Sequence, residues 1–317
     1  MSSWAEKAAK YRHPYHGAFT KNPTLWLDML GVEVRYVQTK SFGRIRIAEA
    51  GVGKSTPILF MHGINGHLEA YAKNLVPLSS EFHVIAFDFV GHGLSDKPVL
   101  EYTPVLLAEQ VGELMDALGL KCAHLSGESL GGWVSALFAA KYPQRVQRLM
   151  LNTAGGLPVV SAKGKADLAN LIALNERNVN NVPTPESVRA RLEWLMHEKN
   201  RALVTDELLA LRLGIYLHPA TRVVAPIINT IINRHDEFLI PLEQLKCAPL
   251  FLWTVDNPIH DLETARASVA RVAGSQLYIM RGDSAHWPQY ECPDEFNVIT
   301  AEFSAPSGRP MANGINR

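Results

Sequence analysis

The feature that most constrains this chain is an alternation. Short apolar runs break at glycine or at a polar turn, and each is followed by a stretch with helical periodicity. RIRIAEAG at 44–51, PILFMHG at 57–63 and HVIAFDFVGHG at 83–93 read as strands running into turns. TPVLLAEQVGELMDALGL reads as a helix, with Thr103 as N-cap, Pro104 in the first turn, and Leu107, Val111, Leu114, Met115 and Leu118 on one face. KCAHLSGES is the next strand and LGGWVSALFAAKYP the next helix, stopped at Pro143. VQRLMLNTAGG, APLFLWTVDN and SQLYIMRGDSAHW supply later strands. Strands this apolar cannot leave a face in water, so the fold class is α/β, a mainly parallel sheet with helices on both faces.

Between residues 157 and 245 strand signals vanish and amphipathic helices take over. TPESVRARLEWLM has Thr184 as N-cap, Pro185 behind it, and Val188, Leu192, Leu195 and Met196 along one stripe. TDELLALRLGIYLHP reads as another helix, ended by Pro219. The insertion is too long for a loop and reads as a helical lid over the carboxyl edge of the sheet. The expected organisation is one discontinuous core, 31–156 plus 246–305, a lid at 157–245, an N-terminal extension at 1–30 and a disordered tail at 306–317.

Composition excludes several classes. Lys+Arg and Asp+Glu are both 31, which leaves no basic face for nucleic acid and no acidic tail. Cys122, Cys247 and Cys292 lie far apart, without a CxxC pair, as expected of reduced packing thiols. The first residues lack the apolar core of a signal peptide, and runs such as PILFM are far short of a membrane span. The expectation is a cytoplasmic protein with a small-molecule substrate and no membrane or nucleic-acid partner.

HLSGESLGGW, residues 124–133, places Ser129 between a predicted strand and a predicted helix, with Gly127 and Gly131 two residues to either side. That is the context a nucleophile elbow needs, because glycine removes side chains that would clash at a strained turn. The plainer alternative is an ordinary glycine-rich strand–helix turn. A serine needs a base. His286, just past the last predicted strand, is first choice, ahead of His62 and His92, which lie upstream and read as turn-shaping. HGING at 62–66 follows a strand, so the N–H groups of Ile64 and Leu130 are the expected oxyanion donors. Asp256, Asn257 and Asp261 all follow the strand before His286. An ionised carboxylate suits the imidazolium, and Asp256 stands at the strand's end, so Asp256 is the expected acid.

FMHG, FDFVGHGLSDKP and SGESLGG together resemble the α/β-hydrolase superfamily over nearly the whole chain. GESLGGW, RLMLNTAGG, ELLALRLGIY and AHWPQYECPDEFN are similar to the meta-cleavage-product hydrolases, which cut a carbon–carbon bond in ring-fission products of aromatic compounds. The resemblance implies a tryptophan after the catalytic histidine, here Trp287, and a lid arginine for the dienoate carboxylate, best matched by Arg212, with Arg189 and Arg191 as rivals. It implies an anionic substrate, no metal or organic cofactor, and a homo-oligomer. Asn65 and Glu128 complete the expected substrate-binding set. Two positions depart from the family pattern. Many members have Asn where Glu128 stands, and the family's acid falls in register with Asn257 rather than Asp256. The competing readings are a carboxylesterase or lactonase on the same triad, and a non-catalytic binding protein of this fold.

Overall fold

A computed structural model describes residues 3–15, 24–178 and 181–306. The chain opens with α1 (Trp4–Lys10) and the short α2 (Leu25–Asp28). Strands β1 (Glu33–Gln38), β2 (Arg44–Ala50) and β3 (Ile58–Met61) follow, then α3 (Ala72–Leu78) and β4 (Val84–Phe87). Next come α4 (Pro104–Ala117), β5 (Ala123–Glu128), α5 (Leu130–Lys141) and β6 (Val146–Asn152). The sheet is eight-stranded in the order β1-β2-β4-β3-β5-β6, continued by β7 (Leu250–Trp253) and β8 (Gln276–Ile279). β1 and β2 run antiparallel, and from β4 to β8 every pairing is parallel.

Between β6 and β7 the chain forms α6 (Ala162–Asn178), α7 (Pro185–Leu195), α8 (Asp206–Leu217) and α9 (Pro219–Asn233). Late helices are α10 (Leu262–Val269), α11 (Pro288–Glu291) and α12 (Pro293–Ser304). Alternate strand residues feed two apolar layers. Leu59, Met61 and Leu125 pack with residues of α4, α5 and α10, while Ile58 and Phe60 pack with residues of α3 and α12. A third cluster joins Val188, Leu192 and Leu208 to Ile259 and Trp287, which seats α7 and α8 on the loops at the carboxyl edge.

Several elements are shorter than expected. The run after Phe87 leaves the sheet at once, because the Asp88 carboxylate turns inward to take the N–H groups of Leu68 and Leu94. Strand β1 carries no clear apolar alternation and is mostly exposed, so its pattern gave no signal. Pro219 does more than end α8: it stands in the first turn of α9, where its missing N–H costs no hydrogen bond. The three cysteines are free thiols of intermediate burial. Of the tail, residues 307–317 lie outside the described residues, as do 1–2 and 16–23 of the N-terminal extension.

Candidate active site

Backbone strain marks the site. Among the described residues three non-glycine residues have positive φ: Asn65 at 55°, Ser129 at 52° and Thr153 at 43°. They follow β3, β5 and β6, all at the carboxyl edge, and strain held by surrounding structure concentrates at functional sites. Ser129 follows β5 directly and caps α5, with its backbone N–H donated to Asn152 and its carbonyl taken by Trp133 and Gly155. A Cβ at Gly127 would lie 2.1 Å from the Gly131 carbonyl carbon, and one at Gly131 would lie 2.1 Å from the Met61 oxygen. The turn therefore closes only with glycine at both positions. Leu130, the first residue of α5, and Ile64, in the turn after β3, line the same cavity as Ser129.

The histidines do not fall as the sequence suggests. The nitrogen facing the Ser129 Oγ is His260 Nε2, at 3.5 Å. His260 stands in NPIHD, where no residue spacing indicates which side chain turns toward the serine. Burial, reinforced by the neighbouring His286 and His235, pushes His260 well below the ordinary imidazole range and keeps it neutral. His286 is buried in the cavity with its ring 5.4 Å from that of His260. Its backbone N–H reaches the Leu195 carbonyl of α7, and its carbonyl accepts the Thr153 hydroxyl.

Asp256 is not beside His286, a correction to the expected acid. It points outward, 62% exposed, with its carboxylate 3.6 Å from His197 Nε2. Asn257 takes the expected place: its Oδ1 lies 3.2 Å from His286 Nδ1 and accepts the N–H groups of Ile259 and His260. Two successive residues leave the strand on opposite sides, and packing selects the amide for the interior. Asp261 is the N-cap of α10, accepting from Thr264 and Ser161. His62 and His92 lie inside the neighbouring turns, His62 bridging Gly63 and Phe89 and His92 meeting the Val90 carbonyl; burial pushes His92 down to about 4.

Glu128, expected among the substrate-binding residues, lines the same cavity as Ser129; its carboxylate is buried, accepting Gly63 N–H at 2.7 Å and standing 3.1 Å from His286 Nε2. Gly63 is required for that approach, because a Cβ there would lie 2.7 Å from a Glu128 oxygen. The Asn65 side chain turns away, donating to Asn229 of α9 at 2.7 Å. Its carbonyl instead accepts Arg212 Nη1 and the Tyr216 hydroxyl.

Of the candidate arginines, Arg189 is paired with Asp206 and the Val204 carbonyl, away from the cavity. Arg212 and Arg191 both line the cavity. Arg212 is 97% buried, since 3% of its surface is exposed, and lies 4.9 Å over the Trp287 ring; its Nε and Nη2 have no hydrogen-bond partner. Arg191 stacks 4.5 Å over Trp194, its Nη1 is likewise unpartnered, and burial draws it down to about 10, with Arg212 adding to the fall. Among the described residues no cluster of His, Cys, Asp and Glu is placed to hold a metal ion, and no helix is long and apolar enough to cross a membrane.

Comparison with known proteins agrees with the fold. The sequence model of the alpha/beta hydrolase fold matches residues 56–191. The 2-hydroxy-6-oxo-6-phenylhexa-2,4-dienoate hydrolase of Burkholderia cepacia is 29% identical over 282 residues, spanning 83% of this chain and 91% of that protein. The dihydrolipoyllysine-residue acetyltransferase component of the acetoin cleaving system of Cupriavidus necator is 33% identical over 183 residues, which span 55% of this chain and only 47% of that protein. A solved membrane phospholipase A, described as a bacterial virulence factor, superposes with a TM-score of 0.71 at 26% identity, covering 87% of this chain and 86% of that one.

Proposed function

We propose, from the premise that this chain is an α/β hydrolase similar to meta-cleavage-product hydrolases, that it is a serine hydrolase cutting a carbon–carbon bond in a 2-hydroxy-6-oxo-dienoate. The observation that carries the reading is the buried, partly unpartnered Arg212 in the cavity of Ser129. A guanidinium taken out of water with free N–H groups calls for an anion, and a planar carboxylate fits its fork. Arg191 adds a second cation to the same cavity and no described carboxylate answers either one.

On this reading Arg212 holds the dienoate carboxylate against Trp287. The dienol ketonises, placing an electron sink beside the scissile bond. Ser129 Oγ attacks the 6-keto carbon, the developing oxyanion is met by the Ile64 and Leu130 N–H groups, and the carbon–carbon bond breaks to an acyl-enzyme and a 2-hydroxydienoate. Water then releases the carboxylic acid. Helices α6 to α9 act as a lid, since Leu171, Arg191, Arg212 and Ile232 close the cavity from that side.

The structural likeness to a phospholipase gives an ester hydrolase a place in the same experiment. Yellow ring-fission products and p-nitrophenyl esters are offered to the wild-type protein and to Arg212→Gln. Dienoate turnover should dominate, and the variant should lose about 10- to 100-fold in dienoate kcat/KM, the scale of a charge-assisted hydrogen bond. Ester turnover should change little. Equal losses on both substrates would make Arg212 structural.

A further inference from the structure

The hydrogen-bond geometry fixes where protons sit. Asn257 Oδ1 already accepts two backbone N–H groups, so the amide cannot be turned round, and the same oxygen faces His286 Nδ1 at 3.2 Å. Nδ1 must therefore donate. The other ring nitrogen, Nε2, lies 3.1 Å from Glu128 Oε1, and the Oε2 of that carboxylate is held by Gly63 N–H. At that distance the carboxylate makes an ion pair with the ring when the ring is protonated, so a proton on Nε2 is held beside Glu128. His286 is thus placed to carry a proton. His260 Nε2 is the nitrogen within reach of the Ser129 hydroxyl, at 3.5 Å.

We propose that the two imidazoles divide the proton work: His260 takes the Ser129 proton, and His286, positioned by Glu128 and Asn257, delivers a proton to the leaving group. The proposal rests on the reading of Ser129 as nucleophile. The protons balance. In acylation the Oγ–H proton passes to His260 as the bond from Oγ to the carbonyl carbon forms. The proton that His286 carries beside Glu128 goes to the departing atom as its bond to that carbon breaks. In deacylation water adds its oxygen to the acyl carbon and its proton returns to the His286–Glu128 pair. Oγ departs with the proton held by His260, and both sites are restored. Other charged groups packed nearby have separate tasks: Glu291 takes the backbone N–H groups of Ala285 and Trp287, and His235 faces Trp133.

Leaving-group chemistry tests this division. A fluorophosphonate reacts with a nucleophilic serine and expels fluoride, which needs no proton; p-nitrophenyl esters likewise expel a stable anion, whereas alkyl esters need theirs protonated. His260→Gln should slow phosphonylation of Ser129 by about a hundredfold or more, the scale of general-base catalysis. His286→Gln and Glu128→Gln should keep phosphonylation within about tenfold of wild type yet lose roughly a hundredfold more kcat/KM on alkyl than on p-nitrophenyl esters. That ratio is taken within one variant, so partial misfolding does not move it. Loss of phosphonylation in His286→Gln with His260→Gln reacting normally would return the base to His286 and overturn the proposal. Equal losses in the two histidine variants, or a Glu128→Gln that loses both esters alike, would also overturn it. Wild-type protein whose Ser129 stays unlabelled would overturn the nucleophile reading, and the proposal with it.

Discussion

The turn after β5 and the turn after β7 leave the same edge of the sheet, yet backbone packing shapes the first and one side chain shapes the second. At Ser129 the chain adopts φ 52° and ψ −114°, and the approaches of Gly127 and Gly131 to neighbouring backbone leave no room for a Cβ. After Trp253 no glycine intervenes. The loop is gathered by Asn257, whose single oxygen collects Ile259 N–H, His260 N–H and His286 Nδ1. A turn dictated by sterics writes its constraint into residue spacing. A turn dictated by one amide does not, because its partners are backbone groups that every residue carries.

The comparison breaks most visibly at the hydroxyl the first turn presents. Ser129→Ala should lower turnover by roughly four orders of magnitude or more, the scale at which nucleophile removal acts in triad enzymes. Its unfolding free energy should stay within about 1 kcal/mol of wild type, because the hydroxyl has one long contact and fills no core position. Steady-state rates beside urea unfolding give both numbers. A much smaller loss would mean that the strained turn serves packing alone.

The second turn should respond in both measurements together. Asn257→Ala removes three acceptor interactions at once, two of them to buried backbone around His260. The expected cost is about 1–3 kcal/mol of stability, from buried N–H groups left without partners. Turnover should fall by about a hundredfold as the two imidazoles lose their register. A stable but inactive variant would show that Asn257 acts on His286 alone. An active but unstable one would show that its loop role is separate from catalysis.

This difference also sets what was legible. The parallel sheet, the turn at Ser129 and the helix carrying Arg212 were visible because each rests on a pattern: uninterrupted apolar runs, glycines at fixed spacing, helical periodicity. β1 was hidden by its exposure, since a strand paired along one edge and wetted on its face needs no apolar alternation. His260 and the inward turn of Glu128 were hidden for another reason. Both depend on which of two adjacent side chains points inward, and charge preference alone gave the wrong answer at Asp256. Buried ion pairs and amide contacts are set by the space neighbouring elements leave, and α7 bounds that space through the Leu195 carbonyl that accepts the His286 backbone N–H.

The smallest expected effect is the sharpest test of that lesson. Asp256 is a carboxylate at the end of a strand before His286, the place where charge reasoning puts a triad acid. Its side chain is 62% exposed and lies 3.6 Å from His197, on the outer side of the loop. An exposed pair of this kind contributes about 0–1 kcal/mol and is screened by salt. Asp256→Asn keeps the shape and removes the charge, so kcat/KM should stay within about twofold of wild type. Measuring it at low and high salt separates a remote field from a direct contact, since a field through solvent fades with ionic strength. A loss of orders of magnitude, unchanged by salt, would mean that the loop turns over when substrate binds and brings Asp256 to His286 in place of Asn257.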